Sequence, residues 1–169
     1  AVGLVTFDDR IRMHLPPSSN PAHLKQVLRV LESSTPNAKT ATGPIFHELA
    51  EKWHKRGVVV VISDLFDDLS SLLAGLKHFR YRQHDVIIFQ VLDAAELEFP
   101  FFQPTLYRGL EQRPDVVADP RALRRAYLAE FGAFLQAVKR GCREREMDYQ
   151  LLRTDRPLDA GLSAFLARR

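Results

Sequence analysis

Three aspartates stand where apolar runs end. Asp64 follows Val58 to Ser63, Asp93 follows Val86 to Leu92, and Asp155 follows Tyr149 to Arg153 and Thr154. Such runs are the sequence form of strands in a parallel sheet, and in open α/β sheets ligands gather beyond the carboxyl ends of the strands. Carboxylates converging at one sheet edge hold hard divalent cations such as magnesium, which need oxygen ligands at short range. Each acid also has a structural alternative, because an aspartate after a strand caps the helix that follows. That alternative covers Asp93 and Asp155, and also Asp67 and Asp68, which directly precede the apolar stripe opening at Leu69. Asp64, nearest its strand end, stays open between the two roles.

A second set of oxygens lies in Lys39-Thr40-Ala41-Thr42-Gly43, a loop before a helix that feeds the same strand as Asp64. Threonine hydroxyls ligate cations or cap helices; Thr42 reads as a cap, and Thr40 is open. His47-Glu48-Leu49-Ala50-Glu51 begins like a zinc-protease helix, but Glu51 stands where the second histidine is required. His47 and His54 read as surface residues, and His14, His23, His78 and His84 show no ligand spacing. The chain has neither a glycine-rich phosphate loop nor a nucleophile elbow. No complete catalytic constellation is therefore present. The enzymatic alternative is a magnesium-dependent nuclease of the PIN-like type, with Asp64, Asp93 and Asp155 holding the cation that activates water against a phosphodiester.

The elements that would position these residues read in order. Val2 to Phe7 and Ile11 to Leu15 form a hairpin around Asp8-Asp9-Arg10. Asn20 and Pro21 make a helix start ahead of Leu24, Val27, Leu28 and Leu31 at helical spacing. After a loop from Ser33 to Thr42, Ile45, Phe46, Leu49 and Trp53 mark a second helix. The unbroken β-branched run Val58 to Ile62 reads as a strand buried on both faces. Leu69 to Phe79 gives a helix and Val86 to Leu92 a second buried strand. A segment rich in Pro and Phe, residues 94–119, then reads as an insertion holding a small ribbon. A long helix opens at Asp119-Pro120, with Cys142 on its apolar stripe, and a last strand and helix close the chain. Alternating helix and strand predict an α/β class: a mostly parallel, doubly wound sheet flanked by helices.

Composition bounds the rest. A chain of 169 residues with ordinary apolar content reads as a single domain spanning 1–169. The net charge is only +3, and the basic groups Arg124-Arg125, Arg140 to Arg145 and Arg168-Arg169 are interleaved with acids on helices. They read as solvated faces, so no nucleic-acid partner is expected. The one cysteine excludes an intrachain disulfide and fits a reducing compartment. No apolar run approaches the roughly 20 residues that cross a bilayer, and no signal pattern opens the chain, so a cytoplasmic location is expected. The first residues already lie inside an apolar strand, which reads as part of a longer protein.

Taken together, Val2-Gly3-Leu4-Val5-Thr6-Phe7-Asp8-Asp9, Val61-Ile62-Ser63-Asp64-Leu65-Phe66-Asp67-Asp68, His84-Asp85-Val86, Val91-Leu92-Asp93, Glu96-Leu97-Glu98-Phe99-Pro100-Phe101 and Thr154-Asp155-Arg156-Pro157-Leu158 resemble the domain-of-unknown-function 58 family of bacteria and archaea. That family is similar to von Willebrand factor type A domains, and the likeness covers the later part of such a domain. The resemblance implies a metal-ion-dependent adhesion site made by an Asp-x-Ser-x-Ser motif, a threonine and an aspartate. Thr40 and Asp64 match the last two; these residues contain no such serine motif, and Ala41 stands where relatives often carry an acid or amide. Two ligands do not hold magnesium against water, so strong binding is expected only with donors from elsewhere. The resemblance also implies a non-enzymatic interaction module working with a MoxR-type AAA+ ATPase, the cation bridging Asp64 and Thr40 to an acid of the partner. Its strand order, 3-2-1-4-5-6, puts a first strand missing from this chain at the centre. Val2 to Phe7 and Val58 to Ile62 would then have unpaired edges, which seek partners. Either the two strands pair directly, or a strand is borrowed from a second copy in a homodimer.

Overall fold

Strands β1 (Val2–Phe7) and β2 (Ile11–Ser18) open the chain as an antiparallel hairpin. The structure is a computed structural model that describes residues 1–34, 42–103, 105–107 and 116–169, with backbone alone at 105, 107 and 116–118. Strand β2 runs three residues beyond Leu15 and takes in Pro16 and Pro17. Proline lacks a donor and is tolerated there because β2 is an edge. Helix α1 (Pro21–Ser33) starts as its sequence dictates, with the Asn20 side chain accepting from the Ala22 amide at 2.9 Å and Pro21 in the first turn.

Helix α2 (Thr42–Lys52) leads into β3 (Val58–Ser63), α3 (Leu69–Tyr81) and β4 (Asp85–Leu92). After β4 come the five-residue α4 (Ala94–Glu98) and a ribbon in which β5 (Thr105–Tyr107) pairs antiparallel with β6 (Val116–Ala118). The expected turn at Gln112-Arg113-Pro114 lies outside the described residues. Helix α5 (Pro120–Glu144), strand β7 (Asp148–Arg153) and helix α6 (Leu158–Leu166) complete the order. The parallel sheet is β3-β4-β7, with Val60 opposite Ile87 and Ile88 opposite Tyr149.

One face of this sheet carries the core. Val59 and Val61 of β3 and Val86 and Ile88 of β4 meet Phe46 and Leu49 of α2, Leu72, Leu76 and Phe79 of α3, and Val138 and Cys142 of α5. Burial pushes the Cys142 thiol up to about 11, so it packs as a neutral apolar group. Helices α2 and α3 meet through glycines. A Cβ on Gly75 would fall 2.7 Å from the Gly43 carbonyl oxygen, closer than a side chain can sit against backbone. On the opposite face α6 covers β4 and β7: Phe165 meets Phe89 edge-on at 5.3 Å, and Gly161 lies against Leu152.

Two expectations are corrected. Strand β3 is buried on one face only: Val58, Val60 and Ile62 are 56, 48 and 69 % exposed. An unbroken β-branched run records what two covering layers would accept, whereas the nine-residue α6 reaches only β4 and β7. Nor do β1 and β3 pair with each other; they belong to separate sheets. The hairpin is attached through side chains, with Val5, Phe7 and Ile11 packed on the core and the Phe7 ring edge-on to Phe46 at 5.5 Å.

Candidate functional site

The turn after β3 is held from four directions. The Ser63 hydroxyl accepts from the Leu65 amide at 3.0 Å, Asp64 Oδ1 accepts from the Phe66 amide at 3.1 Å, and the Leu65 carbonyl accepts from the Asp67 amide at 2.8 Å. From β4, Gln90 Nε2 donates to the Asp64 carbonyl at 2.8 Å. Leu65 itself sits at φ 63 with its side chain 1 % exposed. A left-handed leucine costs on the order of 1–3 kcal/mol and persists only where its surroundings over-determine it, a pattern that clusters at functional sites.

These contacts aim the Asp64 carboxylate outward. It is exposed, and its Oδ2 has no hydrogen-bond partner among the described residues. Asp67, three residues on, turns the other way. Its Oδ2 accepts from both the amide and the hydroxyl of Thr42, at 2.6 and 2.7 Å, and its Oδ1 accepts from the Asp68 amide. Sequence had offered Asp67 as a cap for α3, but it caps α2 from 25 residues away, and Thr42 donates its hydroxyl to Asp67. Asp68 caps α3 as expected, accepting from the Ser71 amide at 2.8 Å. The start of α2 is thereby clasped to the Asp64 turn. Thr40, the other residue expected at the metal site, lies outside the described residues.

Burial pushes the Asp67 carboxyl up, yet the Thr42 and Asp68 hydrogen bonds outweigh it and leave the group below its ordinary value. A carboxyl depressed by folding stabilises the native state above its unfolded value of about 3.9, and that contribution is lost as pH falls through the folded value. Between pH 5 and pH 2 the parent urea midpoint should therefore fall more steeply than that of Asp67→Ala. Equal slopes would show that the clasp contributes nothing.

Gln90 and Tyr149 were missed in the sequence. Gln90 is fully buried, the one polar side chain inside an apolar run, and that break in pattern was the available signal. Its Oε1 accepts from the Tyr149 hydroxyl at 2.7 Å, and burial pushes that phenol up to about 12, so it remains a donor at neutral pH. Gln90→Leu should leave the Asp64 carbonyl and the Tyr149 hydroxyl unsatisfied, at a cost of about 1–3 kcal/mol. Chemical denaturation measures that cost, and exchange of the Leu65 to Asp67 amides should quicken with it.

The other strand-end acids are used locally. Asp93 forms a capping box on α4 with Glu96 and accepts from the Thr154 hydroxyl at 2.6 Å; that hydroxyl and the Ala95 amide hold its carboxyl below the ordinary range. Asp155 does not cap α6, whose cap residue is Pro157. It accepts instead from Nε and Nη2 of Arg153, whose guanidinium keeps its carboxyl low. Among the described residues no group of three His, Cys, Asp or Glu side chains is placed to hold a metal ion, so Asp64, Asp93 and Asp155 do not form the triad the nuclease alternative requires. Of the three strand-end acids only Asp64 leaves a carboxylate oxygen without a protein partner among the described residues, and one carboxylate is not by itself a site for a six-coordinate cation. No described helix is long and apolar enough to cross a membrane.

A family model described as "Protein of unknown function DUF58" matches residues 1–133. Two solved structures share the fold. An aerotolerance-related membrane protein from Bacteroides fragilis NCTC 9343, carrying multiple mutations to serines, is 19 % identical with a TM-score of 0.52, over 98 % of this chain and 75 % of that one. The conserved hypothetical protein BatB from Bacteroides thetaiotaomicron is 15 % identical with a TM-score of 0.55, over 98 % of this chain and 77 % of that one. No curated protein matches the chain. The α/β class read from the sequence is the one the structure has: a parallel sheet flanked by helices, consistent with the von Willebrand A-like arrangement.

Proposed function

We propose that this chain, which belongs to the DUF58 family, is a non-enzymatic interaction module whose working surface is the turn after β3. The observation that carries this reading is the Asp64 carboxylate, exposed on a turn held by four separate hydrogen bonds and a strained leucine. A rigid outward acid is suited to joining a partner, directly or through a shared cation, and rigid presentation limits the entropy lost on association. The partner proposed from the family resemblance is a MoxR-type AAA+ ATPase. Magnesium would take Asp64 and Thr40 as two of its ligands and supply the charge that draws in an acid of that partner, the remaining donors coming from outside these residues. No turnover is assigned to the site.

Titrating the purified ATPase into the full-length protein, with magnesium or with a chelator, tests the proposal. Saturable binding that the chelator weakens is expected. Binding indifferent to magnesium would remove the cation from the reading, and no binding in either condition would remove the partner. Release of product from labelled RNA, abolished by Asp64→Ala, would return the nuclease alternative.

A further inference from the structure

The zinc-protease pattern that opens at His47-Glu48-Leu49-Ala50-Glu51 lacks its second histidine along the chain, and the fold supplies one from another helix. The ring of His78, on α3, lies against that of His47, on α2, with centroids 4.0 Å apart and planes inclined at 55°. Helix packing sets this meeting. A Cβ on Gly43 would fall 2.8 Å from the Ser71 carbonyl oxygen, and one on Gly75 would fall 3.0 Å from the Phe46 Cβ, so the two backbones approach closely along this stretch. Phe46 then stacks toward Phe79 at 5.9 Å, and His47 and His78 are the next residues out from the core on either helix. The His47 side chain is half exposed and His78 half-buried, which leaves the pair open to solvent. Glu51, one turn beyond His47, places its Oε1 3.3 Å from His47 Nε2.

We infer that His47 and His78 bind one divalent transition cation, with zinc as its type, which staples α2 to α3. Imidazole suits zinc, copper and nickel, whereas magnesium and calcium take oxygen donors. Two rings in contact can each turn one nitrogen toward a common point about 2.0–2.1 Å away, the zinc–nitrogen distance. Because the helices already hold the rings together, capture by the second nitrogen is an intramolecular step at high effective concentration. The Glu51 carboxylate beside His47 favours a positive ion there through its charge. Among the described residues no group of three His, Cys, Asp or Glu side chains is placed to hold an ion, so the two imidazoles are the protein ligands and water fills the other positions. No hydrolysis follows from this site. Glu48, the acid that such a motif uses as general base, is paired with Lys52 at 2.6 Å. The inference does not depend on the function proposed for Asp64, whose oxygen donors select a different class of ion.

Calorimetric titration of zinc chloride into the full-length native polypeptide, in the presence of excess magnesium, tests it. The expected result is a saturable site for one zinc per chain whose affinity falls about tenfold or more in both His47→Ala and His78→Ala, since even the outer partners of a metal ligand are worth 10–100-fold. Zinc should also raise the urea midpoint of the parent and leave that of either variant where it was, because an ion that bridges two helices binds the folded chain preferentially. His47→Phe keeps a ring against His78 but offers no nitrogen, so it separates ligation from packing and should lose zinc as His47→Ala does. Parental affinity in any of these variants would overturn the inference by placing the ion elsewhere. Loss of binding in only one of the two alanine variants would reduce the site to a single imidazole and overturn the staple. Absence of saturable binding, or displacement of zinc by magnesium, would overturn the imidazole site itself.

Discussion

Asp64→Asn is expected to weaken binding of the partner proposed above, a MoxR-type ATPase, about thirtyfold or more while leaving the stability of the chain unchanged. The separation follows from how the two carboxylate oxygens are used. Oδ1 accepts from the Phe66 amide, a bond that an asparagine oxygen reproduces, so the turn persists. Oδ2 has no hydrogen-bond partner among the described residues, and the substitution removes its charge without stranding a donor. A hot-spot contact is worth about 2 kcal/mol or more, which is the stated loss in affinity, whereas a surface substitution away from structural contacts stays within about 0.5 kcal/mol of stability. Titration calorimetry against the ATPase and a urea curve on the same preparation give both numbers. Parental affinity in the variant would remove Asp64 from the interface, and a large loss of stability would make it a structural acid.

Phe46→Ala should have the largest effect on the fold, about 3–5 kcal/mol in the range for buried aromatic truncation. Phe46 is 2 % exposed and stands between Phe7 of the hairpin and Phe79 of α3, with ring centroids 5.5 and 5.9 Å away. Because β1 has no backbone pairing with the parallel sheet, its attachment depends on such contacts, helped by His14 beside Trp53. Truncation should lower the urea midpoint and release the hairpin first, so that amides of β1 and β2 exchange faster at denaturant concentrations where β4 is still protected. A loss below about 1 kcal/mol would mean that the ring is not the link between the two sheets.

Much of the molecule was legible because its signals are local. The start at Asn20-Pro21 and the Asp68 cap each join residues within three positions of one another, and the β-branched runs mark β3 and β4 where they stand, whereas the short helix α4 with its Asp93 to Glu96 box was hidden inside a segment read as an insertion. The candidate site was legible only in part. Asp64 could be picked out as a strand-end acid, but its neighbour Asp67 finds its partner 25 residues earlier, at Thr42, and the turn between them is fastened by Gln90 from the next strand. No periodicity or spacing encodes contacts of that length.

The order of elements, their α/β class and the family were determined by the sequence, since patterning and short motifs act through neighbours along the chain. Tertiary structure alone decided which strand-end acid remains outward, because Asp93 and Asp155 are claimed by Thr154 and Arg153 while Asp64 is not. It also decided that one face of β3 stays bare, which depends on how far α6 reaches across the sheet. Covering a face is a property of the layer opposite, and the residues of the strand do not contain it.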